Sequence, residues 1–159
     1  MNTIHVSEYQ KIVVLTGAGI SVASGLQPYR GPGGLWNDPE KVRYSSVETW
    51  RSDPLGVWNA FAPLLAGINL AEQNPAHVAL GLLEANLAQG REFHLITQNV
   101  DGLHLAAGNQ SVIELHGNLS RTRCSDDHCA SEPFEDTQSS FDTLPICDVC
   151  GDLLRPDIV

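Results

Sequence analysis

The sequence is poor in basic residues. Nine lysines and arginines stand against 19 aspartates and glutamates, so the formal net charge is −10 at pH 7. Proteins that bind nucleic acid carry basic patches, because contacts with the phosphate backbone dominate that affinity. The composition therefore argues against direct binding of nucleic acid.

Long apolar runs are also lacking, although hydrophobic residues make up 42% of the 159 residues. No run reaches the roughly 20 residues that a membrane-spanning helix needs. The N-terminal sequence MNTIHVSEYQ has neither the basic start nor the apolar middle of a secretory signal peptide. We therefore expect a globular protein that resides in the cytoplasm and does not insert into membranes.

A short apolar segment followed by glycine is the most informative stretch near the N-terminus. Residues 11–16, KIVVLT, form a β-branched run that predicts a buried strand. The sequence GAG follows at residues 17–19, and residues 20–24 look like the first turn of a helix. A strand, a glycine turn and a helix start present bare backbone N–H groups to a phosphate. Val22 replaces the third glycine of the dinucleotide fingerprint, so an ordinary strand-to-helix turn stays open on these residues alone.

Residues 25–36 predict a loop, because they hold four glycines and two prolines. A loop of this length beside a phosphate-type turn is more often functional than decorative. Arg30 lies where it would reach a phosphate or a ribose, with an ordinary exposed loop arginine as the alternative.

Two later segments carry helix start signals, an Asp or Asn N-cap followed by proline at the first helical position. Asp53 starts a mostly apolar helix that we expect to end near residue 67. Asn74 starts a second helix over 75–89, with Gly90 as its C-cap. Its apolar face holds Leu80, Leu83 and Leu87, and we expect Trp36, Trp50, Trp58 and Phe61 to pack helices onto the sheet.

Polar residues follow two further predicted strands. Residues 92–97, EFHLIT, predict a strand that leads directly into QNVD at 98–101. Residues 112–115 predict a third strand, which ends at His116. Ligands of open α/β sheets bind beyond the carboxyl ends of strands, so both polar ends are expected to meet one crevice. An Asx turn that caps a helix near residue 103, and a partly buried histidine, are the plain alternatives.

Four cysteines lie close together near the C-terminus in the pattern C-x4-C, seventeen residues, C-x2-C. They are Cys124, Cys129, Cys147 and Cys150. Two close pairs fit tetrahedral coordination of zinc by thiolates, and four thiolates leave no open catalytic position. The segment between the two cysteine pairs is rich in Ser, Asp, Glu and Pro. It therefore has little core of its own and needs a cross-link to stabilise it. His128 as a replacement ligand and two disulfides are the alternatives, although no secretion signal supports an oxidising compartment.

Taken in order, these motifs resemble the sirtuins, which are NAD-dependent protein lysine deacylases. The matching residues are Gly17-Ala18-Gly19-Ile20-Ser21, Ser24-Gly25, Tyr29-Arg30-Gly31, Pro75-Ala76-His77, Thr97-Gln98-Asn99-Val100-Asp101-Gly102-Leu103-His104, Ile113-Glu114-Leu115-His116-Gly117, the four cysteines and Leu154-Arg155-Pro156-Asp157. Each motif is weak alone, whereas the ordered set is specific. Pro28-Tyr29 departs from the family, which often has Asp-Phe or Thr-Phe there.

The resemblance implies an α/β fold that holds the first half of a Rossmann-like, doubly wound parallel sheet with a small inserted zinc-ribbon module. An incomplete NAD-binding part would cover residues 1–120, the zinc module 121–155, and the start of the next Rossmann strand 156–159. Family members continue well past the Arg-Pro-Asp motif. We therefore expect the chain to be truncated and, by itself, inactive.

The resemblance also implies the site. NAD would contact Gly17, Ala18, Gly19, Ser21, Arg30, Gln98, Asn99 and Asp101, with its pyrophosphate over the glycine turn and its carboxamide held by Asn99 and Asp101. The carbonyl oxygen of an acyl-lysine protein substrate would attack ribose C1′ and release nicotinamide. His116 would then take a proton from the ribose hydroxyls as catalytic base, and O-acyl-ADP-ribose would form. The four cysteines would hold a structural zinc ion.

Three further expectations concern the outcome of the reaction. Sirtuins that prefer acidic acyl groups resemble one another in a Tyr and an Arg where this chain has Phe61 and Leu64. We therefore expect acetyl or a longer apolar acyl group to be preferred over succinyl. A mono-ADP-ribosyltransferase or NAD hydrolase that uses the same site is one alternative function. A non-catalytic zinc-binding remnant is the other.

Overall fold

The computed structural model describes residues 5–136, 138 and 142–159. Residues 1–4, 137 and 139–141 lie outside the described residues, so the predicted NAD-binding part and zinc module are each described in part. The helices are α1 (Pro39–Tyr44), α2 (Val47–Ser52), α3 (Pro54–Leu70), α4 (Pro75–Ala85) and α5 (Leu103–Ala106). The strands are β1 (Lys11–Thr16), β2 (Glu92–Thr97), β3 (Val112–Glu114), β4 (Gly117–Cys124), β5 (Phe134–Glu135) and β6 (Leu154–Ile158), and short 3₁₀ helices cover Val6–Glu8, Ala18–Ser24 and Leu35–Asn37.

The first sheet is parallel, with strand order β1-β2-β3. Strands β1 and β2 have the bounds predicted from their apolar runs, and β3 ends one residue earlier than expected. Thr16 pairs with Thr97 at the carboxyl ends of β1 and β2. The predicted parallel α/β sheet is therefore confirmed, and its strand ends lie side by side.

The two faces of this sheet differ in burial. Phe93 and Leu95 of β2 point to the covered face and are 6% and 0% exposed. Val13 and Leu15 of β1 point to the opposite face and are 56% and 64% exposed. Side chains alternate between the two faces of a strand. Because β1 is apolar at successive positions, both of its faces are suited to burial, and the described chain covers one of them.

The second sheet is antiparallel, with strand order β5-β4-β6. Gly117 pairs with Ile158, and Asn118 pairs with Asp157. Residues 156–159 were expected to begin a strand of the parallel sheet, and the structure instead places Ile158 in β6 beside β4. The backbone groups of β4 offer partners at this point, which satisfies donors and acceptors that would otherwise stay unpaired. The division of the chain at residues 120 and 155 stays a prediction, and β4 runs across the first of these boundaries.

Helix α3 begins as predicted and ends three residues later than expected, at Leu70. The Asp53 side chain accepts a hydrogen bond of 2.9 Å from the Gly56 N–H group, which caps the first turn. The Trp58 indole N–H group donates to the Leu154 carbonyl oxygen of β6 at 3.1 Å. Helix α3 thereby contacts the second sheet.

Helix α4 begins at Pro75 as predicted but ends at Ala85, well before the expected end at residue 89. The Asn86 side chain donates a bond of 2.7 Å to the Leu82 carbonyl oxygen, a local bond of the kind by which asparagine ends helices. Gly90 adopts a φ of 86° in the turn before β2, rather than capping the helix.

The core lies between α3 and the ends of the two sheets. Leu65, Ile68, Val100 and Leu119 form a buried cluster, and Tyr29 packs against it. Each fully buried side chain of this size contributes about 1.5–3 kcal/mol. No single helix in the described ranges is long and apolar enough to cross a membrane, and α3 and α4 meet that test only as a pair bent by 66°.

Candidate functional site

Hydroxyl groups join the carboxyl ends of β1 and β2. Thr16 Oγ1 donates to Thr97 Oγ1 at 2.9 Å, and both residues are buried. The Asn99 N–H group donates to the same Thr97 oxygen at 3.1 Å. The residues that follow β2 are therefore anchored to the end of β1, as the convergence of parallel strand ends predicts.

Ser21, Asn99 and Asp101 form a polar cluster at this edge of the sheet. Ser21 Oγ donates to Asp101 Oδ2 at 2.6 Å, and Asn99 Nδ2 donates to Ser21 Oγ at 3.1 Å. Asp101 Oδ1 accepts from the Leu103 N–H group at 3.0 Å. Asp101 is thus both the helix cap proposed as the plain alternative and a member of the predicted site.

Asn99 retains one unused acceptor. Its Oδ1 atom is buried and has no hydrogen-bond partner among the described residues. A buried acceptor without a donor is costly, at roughly 1–3 kcal/mol. A small cavity beside it is lined by Ala18, Tyr29 and Leu64. This edge therefore fits a ligand that donates an N–H group, such as a carboxamide.

Tyr29 forms one wall of this cavity. Burial, and then the negative charge of Asp101, raise the pKa of Tyr29 to about 12. The Tyr29 phenol is therefore neutral at physiological pH. Its ring packs against that of Trp36 with centroids 5.4 Å apart, which makes the predicted loop a packed wall of the cavity.

Two histidines lie buried behind the polar cluster, and no sequence pattern predicted a role for either. The Asn74 N–H group donates to His77 Nδ1 at 3.2 Å, so the ring hydrogen lies on Nε2, 3.5 Å from Ser21 Oγ. His104 Nε2 lies 2.9 Å from Thr16 Oγ1. Burial lowers the pKa of both imidazoles, that of His104 to about 4, so both are neutral at pH 7. The capping position of His77, three residues after Asn74, was the available sequence signal.

The glycine turn leads into a 3₁₀ helix, Ala18–Ser24, instead of the first turn of an α-helix. Asn74 holds this helix, because its side chain donates to the Ile20 carbonyl oxygen at 2.7 Å and to Ser24 Oγ at 3.0 Å. A Cβ atom at Gly17 would come within 4.0 Å of the Gln98 side-chain amide, so the turn and the segment after β2 are neighbours. Ala18, Ser21 and Gln98 are thereby brought to one edge, whereas Gly19 is exposed.

His116 lies in the turn between β3 and β4, and it is exposed. The Leu115 N–H group donates to the Thr97 carbonyl oxygen at 2.9 Å, so this turn packs beside the end of β2. Arg30 is also exposed, in the loop after the glycine turn. Among the bonds described for residues 5–136, none joins the His116 or Arg30 side chain to the Ser21 cluster. Both stay predictions as site residues.

The four cysteines converge as predicted. Their Sγ atoms lie within 4.8 Å of one another, with 3.4 Å between Cys124 and Cys150 and 3.8 Å between Cys129 and Cys147. Tetrahedral zinc with Zn–S bonds near 2.3 Å holds its sulfurs about 3.8 Å apart. All four are free thiols, and His128 is not a member of the group. The arrangement fits a four-thiolate zinc site rather than the two alternatives.

The surroundings of the thiols shift the pKa values of Cys147 and Cys124 in opposite directions. N–H groups of Cys150 and Val149 lower the pKa of Cys147 to about 7, whereas burial raises the pKa of Cys124 to about 12. Backbone donors of this kind stabilise thiolate, which is the form that binds metal.

Comparison with known proteins agrees with this geometry. An NAD-dependent protein deacylase of Thermus thermophilus is 43% identical over 154 residues, which are 96% of this chain and 59% of that protein. A deacylase of Aquifex aeolicus is 41% identical over 152 residues, or 96% of this chain and 62% of its own length. The chain thus spans about three fifths of the curated relatives it matches.

Solved structures agree as well. The crystal structure of a Sir2 homologue in complex with NAD superposes with a TM-score of 0.78 at 40% identity, over 94% of this chain and 57% of that one. A Sir2 complex with a deacetylated p53 peptide and 3′-O-acetyl ADP ribose gives a TM-score of 0.76 at 33% identity, over 96% and 61%. A family model described as the Sir2 family matches residues 17–159. The chain therefore belongs to the Sir2 family.

Proposed function

We propose that a protein containing this chain removes acyl groups from protein lysines in an NAD-dependent reaction that yields nicotinamide and O-acyl-ADP-ribose. The observation that carries the proposal is the buried, unpaired Asn99 Oδ1 beside the Ser21–Asp101 hydrogen bond, at the carboxyl ends of two parallel strands. Relatives named as NAD-dependent deacylases, and a Sir2 homologue solved with NAD, support it.

The residues at this edge suit the parts of NAD. When bound, NAD supplies the ADP-ribose that accepts the acyl group. Asn99 Oδ1 would accept a hydrogen bond from a carboxamide, while the Asn99 amide group is held by Ser21. Ser21 and the Leu103 N–H group each occupy one oxygen of Asp101, so this carboxylate is fixed in orientation. We assign Gly17, Ala18, Gly19, Ser21, Arg30, Gln98, Asn99 and Asp101 to NAD binding.

His116 is assigned as the catalytic base. Its imidazole is exposed at the rim of the sheet, where the β3–β4 turn is held against Thr97. An imidazole can accept a proton near neutral pH, and a positioned base typically contributes about a hundredfold to ten-thousandfold in rate.

Apolar side chains near Asp101 favour a small or apolar acyl group. Leu64, Leu26 and Ile68 line the cavity next to Asn99, and no basic side chain lines it within the described part of the chain. Phe61 instead lines a second small cavity with Trp58 and Leu119. Of the two residues expected to shape the acyl pocket, Leu64 lines this cavity, and its apolar side chain supports the proposal. We therefore propose that acetyl-lysine is preferred over succinyl-lysine.

The remaining proposals rest on the composition of the sequence, on the exposed face of the parallel sheet and on the share of its relatives' length that the chain spans. We assign the four cysteines to a structural zinc ion and place the protein in the cytoplasm, without direct contact with nucleic acid or membranes. We also expect no turnover from the chain alone, because Val13 and Leu15 leave an apolar face of the sheet exposed and the relatives are longer.

The test is a chimera in which residues 1–159 are followed by the remaining part of the Thermus thermophilus relative. It should convert an acetyl-lysine peptide and NAD to nicotinamide and O-acetyl-ADP-ribose, identified by mass spectrometry. The His116→Ala chimera should lose this product while its circular dichroism spectrum and zinc content stay unchanged. Free ADP-ribose or an ADP-ribosylated protein as the main product would instead support an NAD hydrolase or a transferase. Wild-type turnover by His116→Ala would exclude the assigned role of His116.

A further inference from the structure

An ionic cluster lies directly beside the turn that carries His116. Arg121 Nη2 lies 2.8 Å from Glu114 Oε2, and Arg121 Nε lies 2.9 Å from Asp157 Oδ2. The side chains of Arg121, Glu114 and Asp157 are 29%, 10% and 15% exposed. Ion pairs on an open surface are weak, whereas two charge-assisted bonds from one guanidinium to shielded carboxylates are directional and strong.

The three members of this cluster lie on the three strands that surround the His116 turn. Glu114 is the last residue of β3, two positions before His116, and Arg121 lies on β4, which follows the turn. Asp157 lies in β6, opposite Asn118. Asn118 adds a second bond to Glu114, from Nδ2 to Oε1 at 2.8 Å. One guanidinium therefore joins the strand before the turn, the strand after it and the strand packed beside it.

The turn also depends on close approach of β6. Gly117 has a φ of 78°, and a Cβ atom at this position would collide with the Asp157 carbonyl oxygen. The Val159 N–H group donates to the His116 carbonyl oxygen at 3.2 Å. A shift of β6 relative to β4 would therefore displace the backbone of His116 itself.

We propose that Arg121 is a positioning residue that acts through Glu114 and Asp157 to hold the β3–β4 turn, and with it His116. This positioning matters for catalysis if His116 is the base, so the inference rests on the proposed function. Removal of Arg121 would leave two shielded carboxylates without a counter-ion and mutually repelling, which opens the turn.

The test compares Arg121→Gln with Arg123→Gln, a matched control on the same strand whose guanidinium pairs with the exposed Asp127. Hydrogen exchange is measured by NMR for the amides of Leu115 and Leu119, which donate to Thr97 and Val100 on either side of the turn. We expect about tenfold faster exchange for both in Arg121→Gln, as for a local opening. The Leu95 amide, in the same sheet, should be unchanged.

A second comparison separates the lost bonds from charge repulsion. The triple variant Glu114→Gln, Arg121→Gln, Asp157→Asn removes the repulsion between the two carboxylates, and exchange of Leu115 should stay faster than in the wild type because the bonds from the guanidinium are still missing. Arg121→Lys, which can satisfy one carboxylate at a time, should give intermediate exchange.

The outcomes are distinguishable from failure of the proposed function. Equal acceleration at Leu95 and Leu115, or the same result for Arg123→Gln, would overturn the positioning role. Local opening in Arg121→Gln that leaves kcat of the chimera unchanged would retain the role of Arg121 in the turn and remove His116 as the base. A fall in kcat with an unchanged KM for NAD would support both.

Discussion

The Ser21 hydroxyl donates a hydrogen bond of 2.6 Å to Asp101, a residue 80 positions further along the chain. Ser21 accepts from Asn99 Nδ2 at the same time, and His77 Nε2 approaches from the buried side. Asn99 and Asp101, two of the residues that the proposed function assigns to NAD, are thus both bonded to one oxygen atom, Ser21 Oγ. This relationship makes Ser21 the most informative position in the predicted site.

Ser21→Ala should weaken both the fold and ligand binding. Asp101 Oδ2 and Asn99 Nδ2 would lose their shared partner, which costs about 1–3 kcal/mol of unfolding free energy. Affinity for ADP-ribose, measured calorimetrically with the chimera, should fall about tenfold. Ser45→Ala is the control, because Ser45 Oγ makes one exposed bond to the Lys41 carbonyl oxygen. Unchanged affinity in Ser21→Ala would contradict the assigned arrangement.

Stability should fall as the pH drops below 6.5. Burial lowers the pKa of His104 to about 4, so the unfolded chain binds a proton at pH values where the folded chain does not. The contribution is complete above pH 6.5 and is lost as the pH falls from there to about 4, by about 3 kcal/mol at most.

Urea unfolding at several pH values measures this loss. In His104→Gln, the free energy of unfolding should depend less steeply on pH between 4 and 6.5 than in the wild type. His128→Gln is the matched control, because His128 is exposed. If the free energy of unfolding depends on pH equally in His104→Gln and in the wild type, groups other than His104 cause the acid sensitivity.

Cys150→Ser should release zinc. The wild-type chain is expected to hold about one zinc atom by elemental analysis, because four thiolates converge. Metal binding free energy in such modules is largely folding free energy, so the second sheet should lose its protection from hydrogen exchange. Cys147→Ser should behave alike, whereas His128→Ala should retain the metal. A metal-free chain with an intact second sheet would refute the zinc site.

Leu64→Arg should shift acyl preference toward succinyl-lysine. An unpaired carboxylate buried against Leu64 costs on the order of several kcal/mol, and an arginine would supply its partner. The ratio of kcat/KM for succinyl and acetyl peptides in the chimera measures the shift. Phe61→Tyr is the control, because Phe61 lines the other cavity. Faster turnover of the succinyl peptide by the wild-type chimera would refute the apolar pocket.

Strand positions were predictable from local pattern, because β1 is a β-branched run and β2 is a short segment with apolar Phe93, Leu95 and Ile96, each next to turn signals. The starts of α3 and α4 were predictable for the same reason, since Asp53 and Asn74 cap their own first turns. The end of α4 was wrong by four residues, because Asn86 bonds to Leu82 and ends the helix before the glycine signal. Residues 154–158 pair with β4 in the structure, and no local pattern shows which strand such a segment joins, so the boundaries at residues 120 and 155 stay predictions.

The sequence by itself determined the kind of protein: a parallel α/β sheet with a glycine turn, polar residues after the strands and a four-cysteine metal site. These features depend on residue type and spacing along the chain, which local physical chemistry can interpret. Only the tertiary structure decided that His77 and His104 lie neutral behind Ser21, and that Arg121 joins Glu114 to Asp157 beside His116. Such contacts depend on which distant residues the packed strands bring within bonding distance, and spacing along the chain does not record that.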